Sequence, residues 1–288
     1  MRQQSIPYAL RRRETVGLGL MRILETMGQD TRELAAQPED QLPESIHQIR
    51  TLLKRFRAYL WFLRPVLGPA RYGRGKKRLS QAARQLSQAR DLDVIQSALT
   101  KAASPSSHEH DLQALRQVSQ AFATREAARS KTNADLRDLL KEAADAVARV
   151  VSQTKDTTER MKRKWPSPKD RIAKALRTAR KAKKKTLREN DPGLVHEWRK
   201  KTKRFFYVLQ LTHRVSGNDN GDGLKKVDQL QEILGAHQDS MVAENYLHRH
   251  RGDFDPDDVD RAIHLLKKKR KALLDEACKG WRSVIRHF

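Results

Sequence analysis

His47-Gln-Ile-Arg50-Thr-Leu-Leu-Lys54-Arg55-Phe56 and His196-Glu-Trp-Arg199-Lys-Lys-Thr-Lys203-Arg204-Phe205 share one pattern, H-x-x-R-x-x-x-K-R-F. At about 100° per residue on a helix, His47, Arg50, Lys54 and Arg57 fall on one stripe, with Ile49, Leu52, Leu53, Phe56, Leu60 and Leu63 opposite. Such a helix buries one face and carries a cationic row on the other. The second copy repeats the row with His196, Arg199 and Lys203 against Trp198, Phe205, Val208 and Leu209. Two rows of this kind point to one anion held from two sides.

The repetition extends further. Downstream of each histidine stands a second matching pair, Leu86-Ser-Gln-Ala-Arg90-Asp91-Leu-Asp93-Val94 and Leu234-Gly-Ala-His-Gln238-Asp239-Ser-Met-Val242, both of the form L-x-x-x-x-D-x-x-V. The two histidines are 149 positions apart and the two aspartates 148, so one deletion aligns the halves. This is the signature of an internal duplication, and it sets the expected boundary between residues 1–164 and 165–288.

Periodicity is helical almost throughout. The expected helices are 6–28, 43–67, 75–101 and a long 108–163 that bends near Lys131-Thr132-Asn133, then 168–189, 192–215, 222–251 and 256–286. Three starts carry a capping residue followed by proline: Ser167-Pro168, Asp191-Pro192 and Asp255-Pro256, the last with acidic residues in its first turn. Polar or glycine-rich connectors are expected at 37–42, 68–75, 103–107 and 217–223. Four helices plus four give an all-α fold of two pseudo-twofold-related subdomains.

Charge narrows the partners. Sixty Lys and Arg against 35 Asp and Glu leave a formal charge of +25, more than solubility needs, so a polyanion is expected. Between Arg160 and Arg188 fourteen cations meet only Asp170. Arg171, Lys174, Lys181, Lys185 and Arg188 recur there at three- or four-residue spacing, as a rail for a linear polyanion would; a solvated helix face has the same look. Aromatics are only 6% of residues, and Phe56, Trp61, Trp198 and Phe205 stand where a core would claim them. That argues against stacking of single-stranded bases.

The single cysteine, Cys278, forms no intramolecular disulfide and fits a reducing compartment. No run approaches the roughly 20 apolar residues of a membrane span. The apolar stretch Val16 to Leu24 is broken by Arg22 and followed by Glu25, so no cleaved leader is expected.

The strings QARDLDVIQSAL, LVHEWRKKTKRFFYVLQL and LQEILGAHQD closely resemble the characteristic segments of the CHAD family, the conserved histidine α-helical domain. The resemblance spans nearly the whole chain. It implies an all-helical module of two similar subdomains that binds inorganic polyphosphate in a basic central cavity. Arg57 has Phe206 as its counterpart where the family often has arginine, and no E-x-E-x-K motif of the triphosphatase-like domain often fused to such modules occurs. The resemblance therefore implies a stand-alone module; the single cysteine and the lack of an expected leader give the cytoplasm as the expected location, in association with polyphosphate granules. The expected polyphosphate-binding residues are His47, Arg50, Lys54, Arg57, Arg171, Lys174, Lys181, His196, Arg199, Lys200, Lys203 and Arg204. Guanidinium groups fork onto two phosphate oxygens and lysines supply mobile point charges. Asp91 and Asp239 would repel a phosphate chain, so inside a cavity they would orient neighbouring cations; the alternative is a capping or surface role.

Metal and enzyme readings lack their residues. His196-Glu197 begins an H-E-x-x-H motif, but position 200 is lysine, and the pairs His108/His110 and His248/His250 lack a third ligand. No phosphate-binding glycine loop, nucleophile elbow or acidic metal cluster is present. A binding module without metal or cofactor is expected, with nucleic acid as the alternative polyanion and a polyphosphate- or nucleotide-processing enzyme as the third reading.

Overall fold

The computed structural model describes residues 8–88, 91–103, 108–127, 132–160, 165–189, 191–215 and 221–288, and every α- or 3-10 element among them is helical, with no strand. The α-helices are α1 (Val16–Ala35), α2 (Leu42–Gln88), α3 (Asp91–Thr100), α4 (Glu109–Ala127), α5 (Asn133–Arg160), α6 (Pro168–Glu189), α7 (Pro192–Thr212), α8 (Gly221–Arg249) and α9 (Pro256–Ile285). The expected all-α class holds. Most of the connectors expected at 103–107 and 217–223, and the basic residues 160–164 apart from the backbone of Arg160, lie outside the described residues.

The chain divides into two compact units, one of Met1–Gln88, Lys131–Lys184 and Lys200–Leu224, the other of Ala89–Ser130, Lys185–Arg199 and Lys225–Phe288. These are not the halves 1–164 and 165–288. Each unit takes three separate stretches, because α6 and α7 each give one end to either unit.

In the first unit α2 packs on α5 and α1, and α1 on α5. Leu20, Ile23, Leu24 and Met27 of α1, Leu53, Phe56, Phe62 and Leu63 of α2 and Leu140, Ala143 and Val147 of α5 are all fully buried. The apolar residues Tyr8, Ala9 and Leu10, expected inside the first helix, are buried but not helical. The Leu10 amide donates to the Leu211 carbonyl at 2.8 Å and the Tyr59 hydroxyl to the Tyr8 carbonyl at 2.9 Å. The helix starts only after Thr15, whose side chain accepts from the Leu18 amide.

The helix expected at 43–67 ends as expected at Gly68 (φ 73°, ψ 167°), whose non-helical backbone breaks α2 in two. That backbone region is open only to glycine. The second part of α2 follows at once, where a connector to 75 was expected, and α3 is a separate short helix where 75–101 was expected as one. Gly75, expected in a connector, is buried within α2, and a Cβ there would lie 3.1 Å from Leu60 Cδ1. Its smallness serves close packing rather than a turn.

Of the bend expected near Lys131-Thr132-Asn133, Lys131 lies outside the described residues; Thr132 is not helical and α5 starts at Asn133. Thr132 Oγ1 accepts from the Asp135 amide at 3.1 Å while Asp135 Oδ2 accepts from the Thr132 amide at 3.1 Å, a reciprocal cap. The three proline-marked starts form as expected. Ser167 Oγ accepts from the Asp170 amide, Asp191 Oδ1 from the Gly193 amide, and Asp255 Oδ1 from the amides of Asp257 and Asp258.

In the second unit α4 packs on α9 and α3 on α4. Leu99, Leu115, Val118, Phe122, Leu247 and Val259 are among the residues of its core. The α8 carboxylate of Glu244, only 6% exposed, pairs with Arg270 of α9, with Lys267 Nζ at 4.0 Å and His248 Nε2 at 3.8 Å. A buried carboxylate of this kind needs such partners, because an uncompensated charge would destabilise the unit.

A Cβ at Gly68 meets nothing within 4 Å, so Gly68→Ala tests the backbone alone. It should lower stability by about 1–3 kcal/mol, read as a fall in the denaturation midpoint at unchanged slope.

Candidate functional site

Two cations of the first unit meet on one aromatic ring. Trp61 of α2 is 4% exposed, as expected of a core residue, but two arginines cover it. The Arg171 guanidinium carbon of α6 lies 3.8 Å from the indole centroid and that of Arg204 of α7 5.0 Å. Arg171 also donates through Nη2 to the Trp61 carbonyl and is itself 4% exposed. Two helices, α6 and α7, thus bring an arginine each to one ring of a third, α2.

Burial pushes the Arg171 guanidinium down to about 10, helped by repulsion from Arg204 and Arg64 and opposed by the Tyr72 hydroxyl. Burial likewise lowers Arg57, opposed by Tyr207 and helped by Arg204. Arg57 Nη1 donates to Ser80 Oγ at 3.4 Å. Among the described residues, the ionisable groups acting on Arg57 and Arg171 are arginines and tyrosines, with no carboxylate among them. Desolvated cations next to like charges are held at a free-energy cost that a bound anion would relieve.

Of the expected site residues in this unit, Arg57, Arg171 and Arg204 are therefore brought together. Arg50, Lys54 and Lys203 are half-buried, and Lys174, Lys181 and Lys200 are exposed. Arg171 is no part of an exposed rail with Lys174 and Lys181, since its side chain turns inward onto Trp61. His47 is exposed and lines a cleft of about 610 Å³ together with Asp30, Glu33, Gln48, Arg55 and Tyr8. Arg55 stacks over Tyr8 at 4.7 Å and Tyr207 at 5.5 Å. The first histidine of the repeat thus shares its cleft with two carboxylates.

In the second unit α7 presents His196 and Arg199 to the α8 segment Leu234-Gly-Ala-His-Gln238-Asp239. His196 Nδ1 lies 2.5 Å from Gln238 Oε1. An amide oxygen only accepts, so Nδ1 carries the proton that it donates. One turn earlier on α8, a Cβ at Gly235 would sit 3.9 Å from Arg199 Nε and Nη2, so this arginine lies against α8 there. Trp198 is fully buried and meets Trp281 edge-on at 6.0 Å. Asp239 is half-buried beside Gln238. Asp91 opens α3, and its side chain lies outside the described residues.

Arg64, Trp61, Gln238 and Gly235 escaped the sequence reading. The signal for the last two was the string Leu-Gly-Ala-His-Gln-Asp itself, since Gly235 and Gln238 stand three apart, like His196 and Arg199. Among the described residues no group of three or more His, Cys, Asp and Glu is gathered as a metal site, and no helix is long and apolar enough to cross a membrane.

Fold and site together define an all-helical module with a desolvated arginine cluster. The CHAD domain family matches over residues 25–248, and the chain belongs to that family. It is similar to the crystal structure of the CHAD domain from the plant Ricinus communis, at 20% identity and a TM-score of 0.68, covering 94% of this chain and 93% of that one. At that identity the likeness concerns the fold. No curated protein matches the chain.

His237, in the same α8 segment, is 4% exposed, and burial with repulsion from Arg270 pushes its imidazole down to about 4. Above about 6.5 it is neutral folded and unfolded, so nothing is lost. As pH falls below that value the unfolded chain takes up a proton that the folded chain refuses until about pH 4. Stability present above pH 6.5 should therefore be lost toward pH 4, by about 3 kcal/mol from this residue. Urea denaturation across that range checks this, with His237→Gln expected to flatten the dependence.

Proposed function

We propose that this protein binds inorganic polyphosphate and docks to it as a binding module rather than processing it as an enzyme. The single observation that carries the reading is the pair Arg171 and Arg204 on Trp61, with Arg64 repelling Arg171 and Arg57 repelled by Arg204, in which Arg57 and Arg171 are desolvated and, among the described residues, no carboxylate acts on them. An anion with closely spaced charges is the partner that offsets both desolvation and mutual repulsion. Membership of the CHAD family and the formal charge of +25 support the choice of polyphosphate. Exposed Lys174 and Lys181 of α6 and Lys200 of α7 add cations on the same helices, as contact with a long polyanion would use. The reading places the protein in the cytoplasm, at polyphosphate granules, in keeping with its single cysteine.

Nucleic acid is the second reading, because charge alone attracts any phosphate backbone. Competition among long-chain polyphosphate, duplex DNA and single-stranded RNA, at matched phosphate and near-physiological salt, separates the two. Polyphosphate should displace both nucleic acids. If either nucleic acid displaces polyphosphate instead, the second reading stands.

Arg57→Ala and Arg204→Ala should each weaken polyphosphate binding by about 1.5–3 kcal/mol, roughly ten- to a hundredfold. Each should also reduce the slope of log affinity against log salt by about one, as titrations at several salt concentrations would read.

A further inference from the structure

Pro65 stands inside α2, four residues after Trp61. An α-helix closes through bonds from N–H(i) to O=C(i−4), and proline has no N–H. The Trp61 carbonyl is therefore the acceptor that the helix leaves open. Arg171 of α6 takes it up through Nη2, while its guanidinium carbon sits 3.8 Å from the Trp61 ring centroid. The Arg171 guanidinium is thus fastened twice to one residue, by a charge-assisted hydrogen bond and by the ring. Its Nε is buried and makes no hydrogen bond. Arg204 lies at 5.0 Å from the same ring.

We infer that Pro65 and Trp61 are positioning residues of the anion site: Pro65 frees the carbonyl that fixes Arg171, and the Trp61 indole holds Arg171 and Arg204 at set places on one ring. The inference rests on the polyphosphate reading above. Its physical content is preorganisation. Arginines left mobile would spread apart under their mutual repulsion and would have to be ordered again by each incoming phosphate, at a loss of affinity. A proline that only shaped the helix would leave Arg171 unaffected.

The test uses the full chain and long-chain polyphosphate. Pro65→Ala restores an N–H that competes with Arg171 for the Trp61 carbonyl, so the variant should melt at or above the parent temperature, since proline destabilises a helix interior. It should nevertheless bind about tenfold more weakly. In an Arg171→Ala background, itself weaker than the parent, Pro65→Ala should cause no further loss, since the two act through one contact. Trp61→Phe, which keeps a ring, should stay near the parent, and Trp61→Leu should weaken binding.

A parent that does not bind polyphosphate overturns the polyphosphate reading and this inference with it. With a binding parent, four results overturn the inference alone: parental affinity in Arg171→Ala, parental affinity in Pro65→Ala, the same loss from Pro65→Ala with and without Arg171, or equal affinity of Trp61→Leu and Trp61→Phe. Should Pro65→Ala not fold, the two Trp61 variants decide.

Discussion

Helix α2 has to bury one side completely while carrying cations on another, and the first unit is arranged around that division. Leu53, Phe56, Phe62 and Leu63 are wholly buried, while Arg57 and Arg64 are drawn from the same turns. The apolar side supplies the free energy that keeps the cations close, since hydrophobic burial is the dominant favourable contribution to folding and like charges work against it. Because Arg171 is pushed down only to about 10, it stays charged near neutral pH. The cluster keeps its charge even where it is desolvated, which separates it from a buried lysine that could shed its proton.

Two copies of a pattern need not share an environment. His196 is half-buried and donates to Gln238, whereas His47 is exposed beside Asp30 and Glu33. The aligned counterpart of Gln238 is Arg90, and a guanidinium offers no acceptor. Equal spacing on a helix fixes which side chains share a stripe. What meets that stripe depends on residues elsewhere in the chain, and those differ between the copies.

The same distinction explains what could be read in advance. Caps and helical periodicity are local, so α6, α7 and α9 start where Ser167, Asp191 and Asp255 place them. The all-helical class followed from such signals. Glycine misled, because Gly75 looks like a connector residue but is small in order to pack against Leu60 and Val150, which only tertiary contact decides. Tyr8 to Leu10 have helix-compatible residues, yet they are not helical, and hydrogen bonds to and from distant residues hold them in place. In the site, the cationic row of α2 was legible as a stripe. The meeting of Arg57, Arg171 and Arg204 was not, since it joins α2 to the consecutive helices α6 and α7, far from it in sequence.

The three-stretch composition of each unit also constrains how the chain comes into being. Emerging from a ribosome, the segments of α1, α2 and α5 cannot complete their unit until residues 200–224 have been made, and the other unit waits for residues 225–288. Contacts between such distant stretches slow folding. Apolar stripes on the early helices stay uncovered for most of synthesis, which is when partly made chains aggregate. A cut near the middle of the sequence would leave each fragment with apolar faces and without its partners, and permutation of the termini would reorder which unit closes first.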